Sequence, residues 1–175
     1  MGAPQILTSI HGRLFGIGPK GEMIVNSTAG NLENAQAVVN AVERVTIANA
    51  LVLALNATPF EIVPSPGPGK TLIANRIVAS KAAGTAFAAG AGEDLAVQSE
   101  GGGVVFAAID SASFLDSALD EIRFGDRVPV NPEVLDVTAL QDLALEVTIL
   151  VGEVITGDSD LIVEVHYQTF DDLLS

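Results

Sequence analysis

Residues 143–151, LALEVTILV, and residues 161–168, LIVEVHYQ, alternate apolar and polar side chains more clearly than the rest of the chain. A period of two, with one apolar and one polar face, is typical of antiparallel strands that cover a core on one side. Residues 157–160, GDSD, are turn-forming and are expected to connect the two strands. The polar positions, which we expect to face solvent, are Glu146, Thr148, Glu164, His166 and Gln168.

Short apolar runs, separated by Gly, Pro, Asn and Asp, fill most of the chain before this stretch. Strands at intervals of about ten residues, without a sustained helical period, predict an all-β fold, an antiparallel β-sandwich. One helical turn is expected at residues 114–119, where Phe114 and Leu115 would close one end of the sandwich. The apolar runs are residues 43–47, 51–55, 60–63, 70–80, 95–99, 104–109 and 122–130.

The N-terminal part of the chain is expected to begin with a hairpin. Residues 13–17 and 22–25 are apolar runs on either side of GPKG at residues 18–21. Proline followed two positions later by glycine is typical of a tight turn. Residues 11–25 are therefore predicted to form a hairpin of two paired strands.

Residues 26–42 differ from the runs around them, because they contain four Asn, small residues and scattered Val. They fit a short helix from Leu32 to Val42 capped by Asn31, and they fit an extended arm equally well. We therefore divide the chain into an N-terminal hairpin and arm, residues 1–42, and a β-sandwich domain, residues 43–175.

Charge is distributed unevenly along the chain. Residues 1–81 contain 6 Lys and Arg against 4 Asp and Glu, whereas residues 82–175 contain 2 against 18, which together give the net charge of −14. Such an acidic chain is poorly suited to bind nucleic acid or an anionic membrane. Yet 49% of the residues are hydrophobic, which predicts either a thick core or a core shared between subunits.

Composition excludes several kinds of site. The chain has no Cys, so disulfides, thiolate nucleophiles and Cys-based zinc sites are excluded. It has no apolar run of about 18 residues, so no membrane-spanning segment is expected. The first residues lack a basic start followed by an apolar core, so no signal peptide is expected either.

Two glycine-rich stretches resemble nucleotide-binding motifs only in part. Residues 69–71, GKT, match the end of a phosphate-binding loop, but Pro64 replaces its first glycine and the following residues resemble a strand. Residues 16–21, GIGPKG, match a dinucleotide fingerprint, but no helix is expected to begin there. We interpret both as turns between strands and predict no cofactor.

The remaining candidates for chemistry are the two histidines and the many carboxylates. His11 and His166 lack a triad or metal-ligand pattern around them. Asp158 and Asp160 could contribute oxygen ligands to Ca²⁺, but they lack the spacing of a calcium loop, and a solvated turn is favoured. A sugar-cleaving site is poorly supported with no Trp and one Tyr. We predict no catalytic residue, no metal-binding residue and no enzyme activity.

Residues 51–70, LVLALNATPFEIVPSPGPGK, resemble a segment of small virion structural proteins of tailed bacteriophages. Residues 90–97, 114–116 and 155–158, followed by a last strand ending at Tyr167, fit the same order, so the resemblance covers roughly residues 43–170. It implies a jelly-roll-like or sandwich module without catalytic residues. Such modules are placed on capsids as decoration or cement proteins, or within tail assemblies.

These observations predict a capsid cement protein on the exterior of a virion, bound to the major capsid protein and associated with itself as a homotrimer. The N-terminal segment, with net charge 0 over residues 1–42, would lie along the shell, and the acidic domain would face solvent. The anchors expected in that segment are Leu14, Phe15, Ile17, Met23 and Ile24.

Three other functions remain open at this point. A tail or fibre module that recognises the host surface is the main alternative. A depolymerising hydrolase is a second, and a host-encoded β-domain without a role in a virion is a third.

Overall fold

The structure is a computed structural model, and it describes residues 14–17, 23–26, 40–90, 92–111, 114–126 and 137–171. Contacts divide the chain into two compact units, Met1–Val38 and Val39–Ser175. The elements of the described residues are ten strands, two one-turn α-helices and a short 3-10 turn at Glu100–Gly102. The strands and α-helices are β1 (Leu14–Ile17), β2 (Met23–Asn26), β3 (Asn40–Ile47), α1 (Asn49–Val52), β4 (Phe60–Val63), β5 (Lys70–Lys81), β6 (Leu95–Ser99), β7 (Val105–Ile109), β8 (Glu121–Asp126), α2 (Val137–Leu140), β9 (Leu145–Ile149) and β10 (Leu161–Asp171).

The described part of the first unit is the hairpin of β1 and β2. The two strands are antiparallel, with Leu14 opposite Asn26 and Ile17 opposite Met23. This register leaves five residues between the strands, including the predicted Gly-Pro-Lys-Gly turn sequence. The predicted pairing of the two N-terminal apolar runs is confirmed.

The second unit contains two four-stranded sheets in which every pair of neighbouring strands is antiparallel. The strand order is β3-β10-β5-β8 in the first sheet and β4-β9-β6-β7 in the second sheet. The prediction of an antiparallel all-β fold is confirmed at this level. β3 begins at Asn40, so residues 40–42, which the sequence analysis placed in the N-terminal segment, belong to a strand of the first sheet.

One apolar cluster contains residues from both sheets. Leu161, Val163 and Val165 of β10 are fully buried, as their alternation predicted, and they belong to the same cluster as Val97 and Val147 of the second sheet. The largest side chains in this cluster are those of Phe87, Phe106 and Phe114. Burial of such side chains stabilises the fold by about 1.5–3 kcal/mol each.

The connection between β9 and β10 corrects the sequence analysis. The two strands were expected to be joined by a turn at residues 157–160, but they lie in different sheets, and residues 150–160 cross from one sheet to the other. An isolated bridge between Ala88 and Ile155 ties this crossing to the loop before β6. Alternation of apolar and polar residues specifies which face of a strand is buried, but it does not specify which strand lies next to it. β9 and β10 therefore both bury their apolar faces in the core, although they belong to different sheets.

The expected solvent-facing positions are also partly wrong. Thr148 is only 4% exposed, because residues 53–58 run beside β9, and its Oγ1 donates a hydrogen bond of 3.0 Å to the carbonyl of Leu55. Val151, the last apolar position of the alternation, lies beyond the strand and is 75% exposed. On β10, by contrast, Glu164, His166 and Gln168 are half-buried on the polar face.

Other predicted elements differ in extent. Residues 51–55, an apolar run, form the end of α1 and a following turn, with Val52 and Leu55 buried in the core. Phe114 and Leu115 are fully buried in a hydrogen-bonded turn, which agrees with their expected role as a plug. β8 occupies Glu121–Asp126, and the rest of the predicted run 122–130 lies outside the described residues.

The two sheets meet closely where β8 passes β7. A Cβ atom on Gly125 would lie 2.2 Å from the carbonyl oxygen of Ala108, so this position requires glycine. The helices of the described residues are too short, at four residues each, to cross a membrane.

Candidate interaction surface

The first sheet has one face against the core and one face toward solvent. We call the solvent-side face the outer face and define it by the strand register. On β10, Ile162, Glu164 and His166 alternate with the buried valines and lie on this face. The cross-strand partners of these three complete the outer face: Thr46, Ser80 and Ile122 in the first row, Arg44, Val78 and Phe124 in the second, and Val42, Arg76 and Asp126 in the third.

Apolar side chains are unusually accessible on the outer face. Val42 is 51% exposed, Ile122 is 59% exposed and Phe124 is 56% exposed. Three of the seven exposed large hydrophobic residues in the described part of the chain therefore lie on one face of one sheet. Ile122 and Phe124 form an exposed apolar pair on the edge strand β8, whereas Val42 lies on β3 at the opposite edge of the sheet. Adjacent exposed apolar groups mark contact surfaces more often than single ones do.

The outer face is electrically neutral on an acidic protein. Its positions comprise two arginines, Arg44 and Arg76, and two acidic residues, Glu164 and Asp126, so its formal charge is 2 − 2 = 0. The chain as a whole has a net charge of −14. A neutral face with apolar groups approaches another protein without the repulsion that the acidic remainder imposes.

Polar side chains of the outer face contact one another. The guanidinium carbon Cζ of Arg76 lies 4.6 Å from the centroid of the Phe124 ring. Nε2 of His166 lies 2.8 Å from Oε1 of Glu164. Because these contacts hold the side chains on the face, less conformational entropy is lost when a partner binds there.

Contact through the face is favoured over contact through the edges of the first sheet. Its edge strands are β3 and β8. β3 carries Glu43 and Arg44, and β8 carries Glu121 and Arg123, whose side chains form an ion pair of 3.1 Å. Charged side chains on an edge oppose edge-to-edge pairing with another chain.

One carboxyl group on β8 has a shifted pKa. The pKa of Glu121 is lowered from its ordinary value, mainly by a hydrogen bond from the Ser117 side chain and further by Arg123 and Lys81. Partial burial acts in the opposite direction. Lys81, one of the groups that lower this pKa, is buried beneath residues 117–119 and donates hydrogen bonds to their carbonyls. The lowered pKa of Glu121 therefore reflects structural contacts at the end of the sheet.

The five expected anchor residues occupy the hairpin of the first unit. Leu14, Phe15 and Ile17 lie on β1, and Met23 and Ile24 lie on β2. The structure brings them together on two paired strands, with Gly16 opposite Ile24 and Ile17 opposite Met23. Their role in binding stays a prediction.

The motifs that resembled nucleotide sites have β-structure around them. Lys70 and Thr71 begin the twelve-residue strand β5, where a phosphate-binding loop requires a helix. Gly16 lies in β1 rather than before a helix. His11 lies outside the described residues.

The acidic turn at residues 158–160 has a structural role. Both carboxylate oxygens of Asp158 accept hydrogen bonds from Thr85, and Oδ1 of Asp160 accepts one of 2.9 Å from the backbone amide of Asn49. The two residues line a cleft of about 520 Å³ beside Lys81 and Gly84. No group of three or more His, Asp or Glu within the described ranges is placed to hold a metal ion.

The outer face is the candidate site that sequence reasoning missed. The sequence did contain a local signal, since Ile122 and Phe124 alternate with charged or small residues in an apolar run. However, that signal does not show that four strands from distant parts of the chain lie side by side and together form one solvent-facing surface. No protein-family model, curated protein or solved structure matches this chain.

Proposed function

We propose that this protein is a decoration or cement protein of a tailed-bacteriophage capsid, which binds the exterior of the shell and stabilises the head without catalysis. The observation that carries the proposal is the neutral outer face, with Val42, Ile122 and Phe124 exposed, on a chain of net charge −14. In this proposal the outer face binds the major capsid protein. The resemblance of residues 51–70 to virion structural proteins supports the same assignment.

The finer architecture in this proposal is a jelly-roll-like β-sandwich. Two antiparallel four-stranded sheets contribute residues to one apolar cluster, which supports a sandwich. Several connections run from one sheet to the other, as the Pro-rich segment 64–69 does between β4 and β5, and such crossings are common in double-sheet modules.

The neutral outer face and the acidic remainder of the surface have different roles in this proposal. The neutral outer face contacts the shell, because apolar burial there meets little electrostatic opposition. The acidic remainder faces solvent, where repulsion keeps particles apart. Association as a homotrimer would give three such faces, and linked contacts raise the overall affinity without any new kind of contact.

The N-terminal hairpin is a second contact in the proposal. Leu14, Phe15, Ile17, Met23 and Ile24 would anchor it on the shell or on a neighbouring copy. Neither nucleic acid nor a membrane is a partner in this proposal.

Binding to shells that lack the protein tests the outer face. Ile122→Asp and Phe124→Asp each place a charge on the exposed apolar pair at the β8 side of the face, and we expect each to weaken binding by more than about tenfold. Leu119→Asp and Ile155→Asp are matched controls, since both side chains are similarly exposed but lie off this face. Equal binding by all four variants, each shown to be folded by circular dichroism, would overturn the assignment of the face.

Deletion of residues 1–38 tests the hairpin. This endpoint follows the boundary between the two units and leaves β3 complete, whereas a deletion to residue 42 would remove three residues of that strand. Undiminished binding after the deletion would remove the hairpin from the proposal. Antibody labelling in electron microscopy then distinguishes a capsid protein, labelled over the head, from a tail or fibre module, labelled at the tail.

A further inference from the structure

A polar cleft lies on the solvent side of the second sheet, away from the outer face of the first. Its volume is about 380 Å³, and its lining includes side chains of two neighbouring strands, Gln98 of β6 and both Glu146 and Thr148 of β9. These residues alternate with Val97 and Val147, which face the core. The cleft is therefore built on the rigid strands of the sheet.

Gln98 is the unusual member of this cleft. The residue as a whole is only 7% exposed, and no hydrogen bond joins its amide to another group in the part of the chain that the structure describes. Buried polar groups in folded proteins nearly always have a hydrogen-bond partner, protein or water. The amide nitrogen and oxygen of Gln98 are not among the fully enclosed polar atoms of the described residues, so they open onto the cleft, and their hydrogen-bond partner comes from the solvent side.

The groups around Gln98 are mainly acceptors. Glu146 lies directly opposite Gln98 in the strand register and contributes a carboxylate. Nδ2 of Asn56 donates a hydrogen bond of 2.9 Å to the carbonyl of Ile149, and the Oδ1 of the same side chain stays available as an acceptor. The Thr148 hydroxyl donates its proton to the carbonyl of Leu55, so its oxygen lone pairs can accept further hydrogen bonds. The cleft thus offers several acceptors beside the two amide donors of Gln98.

The rim of the cleft contains three residues with positive φ, one of which is not glycine. Gly101 and Gly102 have φ values of +75° and +77°, and a Cβ on Gly102 would lie 3.8 Å from Nε2 of Gln98. Val151 has φ of +51°, which is strained for a β-branched residue, and it is 75% exposed beside the cleft. Non-glycine residues such as Val151 in this conformation are found preferentially at binding sites, because the surrounding structure must impose it, whereas the two glycines adopt positive φ without strain.

We propose that this cleft binds a neutral saccharide ring. The ligand must accept a hydrogen bond from Gln98 and donate one to Glu146, and these two side chains are neighbours across the strand pair. A hydroxyl group both donates and accepts, so two adjacent ring hydroxyls satisfy both side chains. The aliphatic side chains of Pro59 and Val151 can contact the C–H groups of the ring.

Other ligand classes satisfy the cleft less completely. An ammonium or guanidinium group donates to Glu146 but cannot accept from Gln98, so it would use only one of the two side chains. A peptide segment has both N–H and C=O groups but needs a groove open along its length. The saccharide site is independent of the proposed capsid function, since it uses the other sheet.

Titration of the full-length protein with neutral mono- and disaccharides, followed by two-dimensional amide NMR, tests the proposal. We expect saturable shifts at residues 98–102 and 146–151 for at least one sugar at millimolar concentration. Methylammonium chloride and N-acetylglycinamide are the comparison probes for a cation and a peptide. Shifts with either of these and none with the sugars, or sugar-induced shifts elsewhere only, would overturn the proposal.

Two substitutions separate binding from folding. Gln98→Leu removes the amide at similar volume, and we expect a loss of affinity of at least about tenfold with thermal stability unchanged or raised. Gln168→Leu is the matched control, because it removes a glutamine from the polar face of the first sheet, and it should bind like the parent protein. If Gln98→Leu retains full saccharide affinity, the site is wrong. If this variant fails to fold, Glu146→Gln supplies the test, and unchanged affinity there would overturn the proposal equally.

Discussion

The guanidinium group of Arg76 lies over the aromatic ring of Phe124, with Cζ 4.6 Å from the ring centroid. Arg76 is on β5 and Phe124 is on the neighbouring edge strand β8, one row apart in the register. The contact brings a cation and an exposed aromatic side chain together at the β8 side of the outer face. It therefore influences both the stability of the edge strand and the chemistry that a partner would meet.

A double-mutant cycle measures this contact. We expect Arg76→Met and Phe124→Leu to be coupled by about 0.5–1 kcal/mol in the free energy of unfolding, as for a partly exposed cation–π pair. The measurement is urea denaturation of the parent, both single variants and the double variant. A second cycle, pairing Arg76→Met with Ile122→Ala, is the control and should give little coupling. Equal coupling in the two cycles would contradict a specific ring contact.

Replacement of Gly125 tests the close approach of the two sheets. In Gly125→Ala the added methyl group would meet the backbone of Ala108, which cannot move as a side-chain end can. We expect a loss of about 1–3 kcal/mol in the free energy of unfolding, measured by urea denaturation. Gly103→Ala is the control, because its nearest neighbour is the Ser99 hydroxyl at 3.2 Å, and it should change stability by less than about 1 kcal/mol. Similar values for the two variants would contradict the packing of β8 on β7.

Lys81 is a buried cation with defined acceptors. It is 5% exposed, and its Nζ donates to the carbonyls of Ser117 and Leu119, the latter at 3.2 Å. We expect Lys81→Met to destabilise the protein by about 1–3 kcal/mol, since these charge-assisted hydrogen bonds are lost. Lys70→Met, on the same strand, removes only an exposed ion pair with Asp171 and should cost at most about 1 kcal/mol. Thermal and urea unfolding of both variants provide the comparison, and a larger loss at Lys70 would refute it.

The lowered pKa of Glu121 predicts a direction for acid sensitivity. Because the folded-state pKa lies below the ordinary value of 4.5, ionised Glu121 stabilises the fold above that value. This contribution is lost as the pH falls through the folded-state pKa. We expect Ser117→Ala, which removes the largest cause of the shift, to raise the pKa of Glu121 in an NMR titration. The same variant should unfold at a higher pH than the parent does, and an unchanged pKa would show that the hydrogen bond is not its cause.

Prediction from the sequence was most successful where the pattern is local. Alternation in β10 correctly identified Leu161, Val163 and Val165 as core residues, and the N-terminal runs correctly predicted a hairpin. On β9 the same reasoning correctly identified Leu145, Val147 and Ile149 as buried, but it failed for Thr148, which is covered by residues 53–58 from a distant part of the chain. Local periodicity describes one strand at a time, so it contains no information about what covers the opposite face.

The candidate site was less accessible to sequence reasoning than the fold. Charge counting directed attention to the N-terminal segment, since residues 1–42 have a net charge of 0. It could not reveal that Arg44, Arg76 and Phe124 lie on the same face of one sheet, because these residues are far apart in the chain. Likewise, Gln98 becomes notable only when its burial and its missing partner are known.

By itself, the order of apolar, turn-forming and charged residues determined that this chain forms antiparallel β-structure and that its second half is acidic. Backbone hydrogen bonding and side-chain periodicity are short-range, so they are encoded within each run. Tertiary structure alone decided that β9 and β10 belong to different sheets, that four strands build a neutral face, and that Gln98 meets Glu146 in a cleft. These relationships depend on which distant strands pair while burying one shared core, and that choice is made by the packing of the whole domain.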